Sequence, residues 1–119
     1  MSLTSILGRL TALDGVRAVV VTGREGLVIA QTDLPLPDAE ALAAYGAAVL
    51  SAAEALGAET RRPPLVGIII EYGDALISVD ALGDFAATVT RLDAAATLVP
   101  LRVTLRQVRG ELLAALDAM

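Results

Sequence analysis

Apolar residues at Leu3, Ile6, Leu7, Leu10 and Leu13 recur at three- and four-residue spacing, with Thr4, Ser5 and Arg9 between them. That spacing predicts an amphipathic helix, and Asp14-Gly15 marks its end. The period then changes. Val16 to Thr22 and Leu27 to Thr32 are rich in β-branched residues and of strand length. The segment DLPLP breaks the chain, and Asp38 is placed to cap a long helix running to about Gly57. After the loop AETRRPP come three short apolar segments, LVGIIIE, ALISVD and FAATVTRL. Their connections, YGD and ALGD, are short enough for antiparallel hairpins. A last helix is predicted from about Leu98 to Asp117, with Thr97 as a cap. Pro100 falls in its first turn, where a missing N–H deprives no partner.

The order is therefore α-β-β-α-β-β-β-α in a single domain over residues 1–119, without linker or repeat. Two of the strands are apolar at consecutive positions, Val19-Val20-Val21 and Ile68-Ile69-Ile70. A sheet with one wet face would alternate. The pattern predicts an α/β (α+β) fold, a three-layer α/β/α sandwich in which helices flank both faces of one antiparallel sheet.

The turn TGREG, between the first two strands, has two readings. A phosphate cradle needs a helix N-terminus directly after its glycines, because orphan N–H groups supply the anion site. Here Leu27-Val28-Ile29-Ala30 follows Gly26, which is a strand. Gly23 and Gly26 also lack the spacing and the lysine of a nucleotide-binding loop. The turn is read as a hairpin tip, with Arg24 and Glu25 exposed on it.

Composition narrows the chemistry. Apolar residues make up 55 % of the chain but aromatics only 3 %, so the core is built from Ala, Val, Leu and Ile. Tyr45, Tyr72 and Phe85 are the whole aromatic supply, and the net charge is −5, which disfavours nucleic acid and anionic membranes as partners. There is no Cys and no His, and all nine basic residues are Arg. Thiol nucleophile, imidazole base, lysine Schiff base and the usual zinc ligands are thus excluded. Glu71, Asp80 and Asp84 begin or end strands, where carboxylates commonly sit in solvent. No catalytic residue, cofactor or metal site is expected. The N-terminal MSLTSILGRL lacks a basic start and a long apolar run, so a cytoplasmic location is expected.

The second helix is apolar around most of its circumference, unlike an ordinary surface helix. On a helical wheel Leu42, Tyr45, Val49, Ala52, Ala53 and Leu56 share a face assigned to the sheet. Beside it runs a small-residue face, Ala41, Ala44, Ala48 and Ala55, and farther round stand Glu40, Ala43, Ala47, Leu50 and Glu54. High alanine content favours the helix in itself, while small side chains also let a second helix approach closely. A stripe roughly 30 Å long and about 10 Å wide covers on the order of 300 Å², which a monomer tolerates. It permits a dimer, and an adjoining sheet edge at LVGIII would extend the contact. Glu54 and the alanine bulk argue against membrane insertion of this helix. In the last helix Leu101, Leu105, Val108, Leu112 and Leu116 form a core face. Arg102, Arg106 and Arg109 form a stripe that faces solvent or meets an acidic partner.

LDGVRAVVVTGREGLVIA, the Ala-rich helix, the IIIEYGDALISVDALGD hairpin and the closing LRVTLRQVRGELLAAL helix together resemble the roadblock/dynein light chain family. The resemblance runs from Leu3 to Leu116 and points to the bacterial MglB-like regulators of Ras-like GTPases. It implies a roadblock (profilin-like) fold, a five-stranded antiparallel sheet with the second helix on one face and the terminal helices on the other. It also implies a homodimer whose third strands, Leu65 to Glu71, pair edge to edge with the second helices side by side. The expected dimer interface is Ala41, Ala44, Ala48, Ala55, Leu65, Val66, Gly67, Ile68 and Ile69. Glu40, Ala43, Ala47, Leu50 and Glu54 are the expected platform for a small Ras-like GTPase. The implied role is a non-enzymatic regulator or scaffold. Two alternatives stand beside it: a structural adaptor subunit assembling through its sheet edge, and a small-ligand sensor with a pocket between sheet and helix.

Overall fold

The computed structural model describes residues 2–34 and 36–119, so Pro35 of the DLPLP break lies outside the described residues. Helix α1 (Leu3–Thr11) leads into β1 (Val16–Gly23) and β2 (Val28–Gln31), followed by α2 (Leu36–Glu59). Strands β3 (Ile68–Glu71), β4 (Leu76–Leu82) and β5 (Ala86–Leu92) come next, and a short 3-10 turn at Ala95–Thr97 opens α3 (Leu98–Asp117). The five strands form one sheet in the order β2-β1-β5-β4-β3, with every neighbouring pair antiparallel. This is the architecture the hydrophobic pattern and the resemblance imply.

Alternation along each strand divides the core into two layers. Val19 and Val21 of β1 face α1 and α3, in a cluster with Leu76, Leu82 and Leu92, and Ile6, Leu10, Leu101 and Leu112 close it from the helices. Val20 points the other way, against Ala39 and Ala43 of α2. Val79 and Val89 meet Leu50 on that same side. Covering on both faces is why Val19, Val20 and Val21 are all fully buried. Ile68, Ile69 and Ile70 are only half-buried, because β3 is an edge strand.

Several boundaries differ from the sequence reading by a few residues. Helix α2 starts at Leu36, so Asp38 lies in its first turn, where a carboxylate favours the helix dipole, and does not cap it. Thr97 precedes α3 in helical conformation and makes no side-chain capping bond, because the 3-10 turn already feeds the helix. Strand β3 begins at Ile68, leaving Leu65 to Gly67 outside the ladder. Helix α1 ends at Thr11 and starts with a capping bond in which the Ser2 hydroxyl accepts from the Ser5 N–H at 3.2 Å.

The largest correction concerns the phase of α2. The side chains it buries on the sheet are Ala39, Ala43, Ala47 and Leu50, while Tyr45 is 74 % and Leu56 66 % exposed. The face assigned from the wheel is wrong by roughly a third of a turn at 100° per residue. Small residues win the sheet side because they let the helix axis come close. At Gly46 an added Cβ would stand 2.5 Å from Val89 Cγ2. The larger Leu42, Tyr45 and Val49 overhang towards β3 instead. Helix α2 is long and apolar enough to cross a membrane by length and composition, yet here it lies flat on a sheet, with Asp38 and Glu40 exposed near its start.

Candidate interaction surface

Two unfilled features adjoin one another on the α2 side of the molecule. The first is the outer edge of β3, whose other edge pairs with β4 from Ile68↔Val79 to Glu71↔Leu76. An unpaired strand edge offers a row of backbone donors and acceptors to another strand. The second is an apolar groove of about 400 Å³ between the overhanging side of α2 and strands β3 and β4. Tyr45 and Val49 form one wall, and Ile70, Tyr72 and Ile77 the other. Tyr72, 56 % exposed, supplies the second exposed aromatic of this surface. Large apolar groups left open beside a free strand edge are the signature of an interface.

The residues expected at a dimer contact fall into two groups. Ala41, Ala44, Ala48 and Ala55 are exposed on the crest of α2. Leu65, Gly67, Ile68 and Ile69 are half-buried and Val66 is exposed along the approach to β3 and in β3 itself. Ala41 lines the groove. Ala44 lies on the opposite flank, where its Cα would be 3.2 Å from a Cβ added at Gly26 of the β1–β2 turn.

The expected GTPase platform does not survive as a set. Ala43, Ala47 and Leu50 are buried against the sheet and present nothing to a partner. Glu40 is exposed, and Glu54 is partly so. The Glu54 carboxylate accepts a hydrogen bond from Arg24. Arg24 is itself a correction, since it is not a free tip residue. Its Nε donates to the Ala86 carbonyl at 3.0 Å and its Nη2 to the Gly83 carbonyl at 2.8 Å. The turn remains a hairpin tip, with Gly26 at φ 91°, a left-handed conformation that glycine accepts readily.

Around Arg24 an open hollow of about 930 Å³ runs from the C-terminal end of α2 to the β4–β5 turn. Arg62, Arg109, Glu54 and Asp84 share its walls with Leu56, Pro63 and Leu65. Its charges of both signs leave no single chemical preference. Asp80, expected in solvent, is instead half-buried on β4, where the Ser78 hydroxyl donates to its Oδ2 at 2.8 Å. Burial holds the Asp80 carboxyl above its ordinary range, against the Ser78 hydrogen bond and the Arg102 charge, which favour ionisation. In the sequence, the alternation Ser78-x-Asp80 opposite Thr88-x-Thr90 is the signal that could have found this polar row. Asp93, at the exposed far end of β5, is held below its ordinary range by a 2.7 Å hydrogen bond from Arg17. Among the described residues no group of three or more His, Cys, Asp or Glu could hold a metal ion.

A model of the Roadblock/LC7 domain family matches residues 3–91. Among curated proteins nothing matches the sequence. Solved structures do. MglB of Myxococcus xanthus is 17 % identical and superposes with a TM-score of 0.80, with 100 % of each chain covered. The gliding protein MglB of Thermus thermophilus is 19 % identical with a TM-score of 0.82, covering 97 % of this chain and 88 % of its own. A Roadblock/LC7 domain from Streptomyces avermitilis is 18 % identical with a TM-score of 0.78, covering 95 % and 99 %. At these identities the structures speak to the fold.

Proposed function

The chain belongs to the Roadblock/LC7 domain family, and on that premise we propose that it is a non-enzymatic regulator that homodimerises and binds a small Ras-like GTPase. One observation carries the reading: the free β3 edge and the apolar groove of α2 form one continuous, uncovered surface. A second copy related by a two-fold axis would place its own β3 against that edge and its own Tyr45 beside this one. The sheet would then run through both protomers, and the two α2 helices would lie side by side over it. No catalytic step is needed from this chain, and its side chains include no Cys, His or Lys to take one. We place it in the cytoplasm.

The platform for the GTPase follows from the corrected phase of α2. With the Tyr45 flank occupied by the second copy, the crest that stays open carries Glu40, Ala44, Ser51 and Ala55, all exposed in the protomer. Ala41 and Ala48 then lie at the margin between dimer contact and platform. A platform of small side chains suits a partner that supplies the larger groups itself.

The test joins light scattering to a GTP-hydrolysis assay with the Ras-like GTPase encoded nearest this gene. The wild type should scatter as a dimer, bind that GTPase and change its hydrolysis rate. Ser51→Arg should leave the dimer intact and lose the GTPase, whereas Tyr45→Glu should lose both. A dimer that neither binds the GTPase nor alters its rate would transfer the surface to the adaptor reading. A monomeric wild type would remove the basis of both.

A further inference from the structure

The backbone of β3 fixes which groups its free edge offers. The Tyr72 N–H donates to the Ala75 carbonyl at 2.8 Å, inside the β3–β4 hairpin. Backbone direction alternates along a strand, so Ile68 and Ile70 also turn their N–H and C=O towards β4, opposite Val79 and Ile77. Gly67, Ile69 and Glu71 therefore turn theirs outwards. The side chains alternate as well. Ile68 packs with Leu50 and Val79 on the α2 side, whereas Ile69 packs against the cluster under α1 and α3. Gly67 and Glu71 share the face of Ile69. A Cβ added at Gly67 would stand 2.6 Å from Asp80 Oδ1 and 3.2 Å from Arg102 Nη2.

A second copy joined through this edge has to obey the symmetry. A two-fold axis normal to the sheet keeps each face on its own side, so one residue opposes itself and every other opposes a residue of its own face. With Ile69 at the axis, all the outward residues find partners: Ile69 meets its own copy, and Glu71 meets Gly67 at both ends. With Ile70 there, Gly67 would meet Gly73 in the hairpin turn, and with Ile68 there, Glu71 would meet Leu65 outside the ladder. Charge points to the same choice. Among the described residues the ion pairs are Arg9–Glu111, Arg17–Asp93 and Arg24–Glu54, and neither Glu71 nor Arg102 is in one. The partner's Glu71 would stand about 5 Å across from Gly67, where no side chain separates it from the Arg102 guanidinium. Asp80 lies on this side too, but Arg102, Arg106 and Arg109 outnumber it there, so the local field favours a carboxylate.

We infer that the β3 edge takes a second copy of this chain in one register, with Ile69 at the axis and reciprocal ion pairs from Glu71 of each protomer to Arg102 of the other. This register rests on the dimer proposed above and adds what selects the partner. Hydrogen bonds along an open strand edge are indifferent to sequence. A strand without a carboxylate four residues beyond its glycine would satisfy them and leave the arginines unpaired. Slippage of the second copy along the edge breaks both ion pairs at once.

Charge reversal and single cysteines in the full chain test the register, with dissociation constants taken from sedimentation equilibrium. Each ion pair is partly exposed, so losing one should weaken the dimer about threefold and losing both about tenfold. Glu71→Arg alone and Arg102→Glu alone should each weaken it by about tenfold or more, because like charges then face each other at both ends of the ladder. An equimolar mixture of the two variants should return to within about threefold of the wild-type affinity, since both arginine–glutamate pairs re-form in the mixed dimer. The chain has no Cys, so a single introduced cysteine can link only to its own symmetry mate. Under oxidation Ile69→Cys should link two protomers, because its Cα would lie about 5.5 Å from its copy. Ile68→Cys and Ile70→Cys should not, because each would lie diagonally from its own mate, about 7–8 Å away. Linking by either of these in preference to Ile69→Cys would overturn the register. Charge variants that dimerise like wild type, or a mixture no tighter than its components, would overturn the ion pairs. Either result, with a wild type that dimerises, leaves the dimer itself standing, whereas a monomeric wild type would overturn both. The cysteine series decides the register even if Arg102→Glu fails to fold.

Discussion

Arg24 ties the β1–β2 turn to two other parts of the molecule with one side chain. Its guanidinium reaches the Gly83 and Ala86 carbonyls at the β4–β5 turn and the Glu54 carboxylate on α2. The Glu54 pair is partly exposed, so water and salt screen much of its strength. The two carbonyl bonds matter more, because truncation takes a charged donor away from both acceptors at once. Arg24→Ala should lower stability by about 2–4 kcal/mol in urea unfolding, from hydrogen bonds to a charged donor. Arg24→Lys should recover little of it, since an ammonium cannot reproduce the planar fork. The turn TGREG was legible as a hairpin because its neighbours are strands, but no local pattern marks an arginine that reaches elements remote in sequence. Asp80 was misread for the same reason. Its native carboxyl holds a proton more tightly than in the unfolded chain, because burial outweighs the Ser78 hydrogen bond and the Arg102 charge. Between the ordinary value of 3.8 and the raised native one, the unfolded chain is the more ionised state, so stability falls as pH rises through that window. Asp80→Asn removes the titration, and its stability relative to wild type should climb over the same window and then level off. Urea midpoints from about pH 3 to 7 measure this, and a difference constant across that range would contradict it.

At the scale of elements, the sequence marks existence and type well and orientation poorly. All eight predicted elements are present, because the period of apolar residues switches cleanly between helix and strand along the chain. The phase of α2 was not legible. Apolar residues surround that helix, so size became the criterion, and Leu42, Tyr45 and Val49 were turned inward. The folded chain does the reverse, because closeness to the sheet rewards Ala39, Ala43, Gly46 and Ala47. Ala43, Ala47 and Leu50 were consequently read as exposed and Tyr45 as buried, the reverse of what the structure shows. Gly46→Ala tests the packing directly. Alanine favours a helix over glycine by about 1 kcal/mol, yet here its Cβ would overlap Val89, a stiff β-branched neighbour. Overpacking of this kind costs about 1–3 kcal/mol, so the net effect should lie between no gain and a loss of about 2 kcal/mol. Gly110→Ala in α3, with open space around the new methyl group, should instead stabilise by about 0.5–1 kcal/mol. If both substitutions stabilise equally, α2 does not press on the sheet as closely as the structure places it.

The whole molecule is a five-stranded sheet covered on both faces but open along β3, and that opening sets the behaviour expected in solution. Tyr45 and Tyr72 are each more than half exposed in the groove beside the free edge. An edge strand with apolar flanks is normally blunted by charge, by proline or by cover. Glu71 closes one end of β3, but Ile68, Ile69 and Ile70 carry no charge along the rest. In the proposed dimer a second copy would supply the cover with no further change in the protomer. If folding and association are coupled in this way, unfolding produces two chains from one dimer, and the melting temperature must depend on protein concentration. Each tenfold dilution removes about 1.4 kcal/mol per dimer, which for chains of this combined size lowers the melting temperature by a few degrees. Tyr45→Glu should abolish the dependence. The side chain is exposed in the protomer, so the charge is tolerated there and excluded only from the paired groove. Calorimetric scans of both proteins over two decades of concentration read the result. A wild type whose melting temperature does not move with dilution would mean that the β3 edge stays uncovered, which removes the basis of the dimer-based reading.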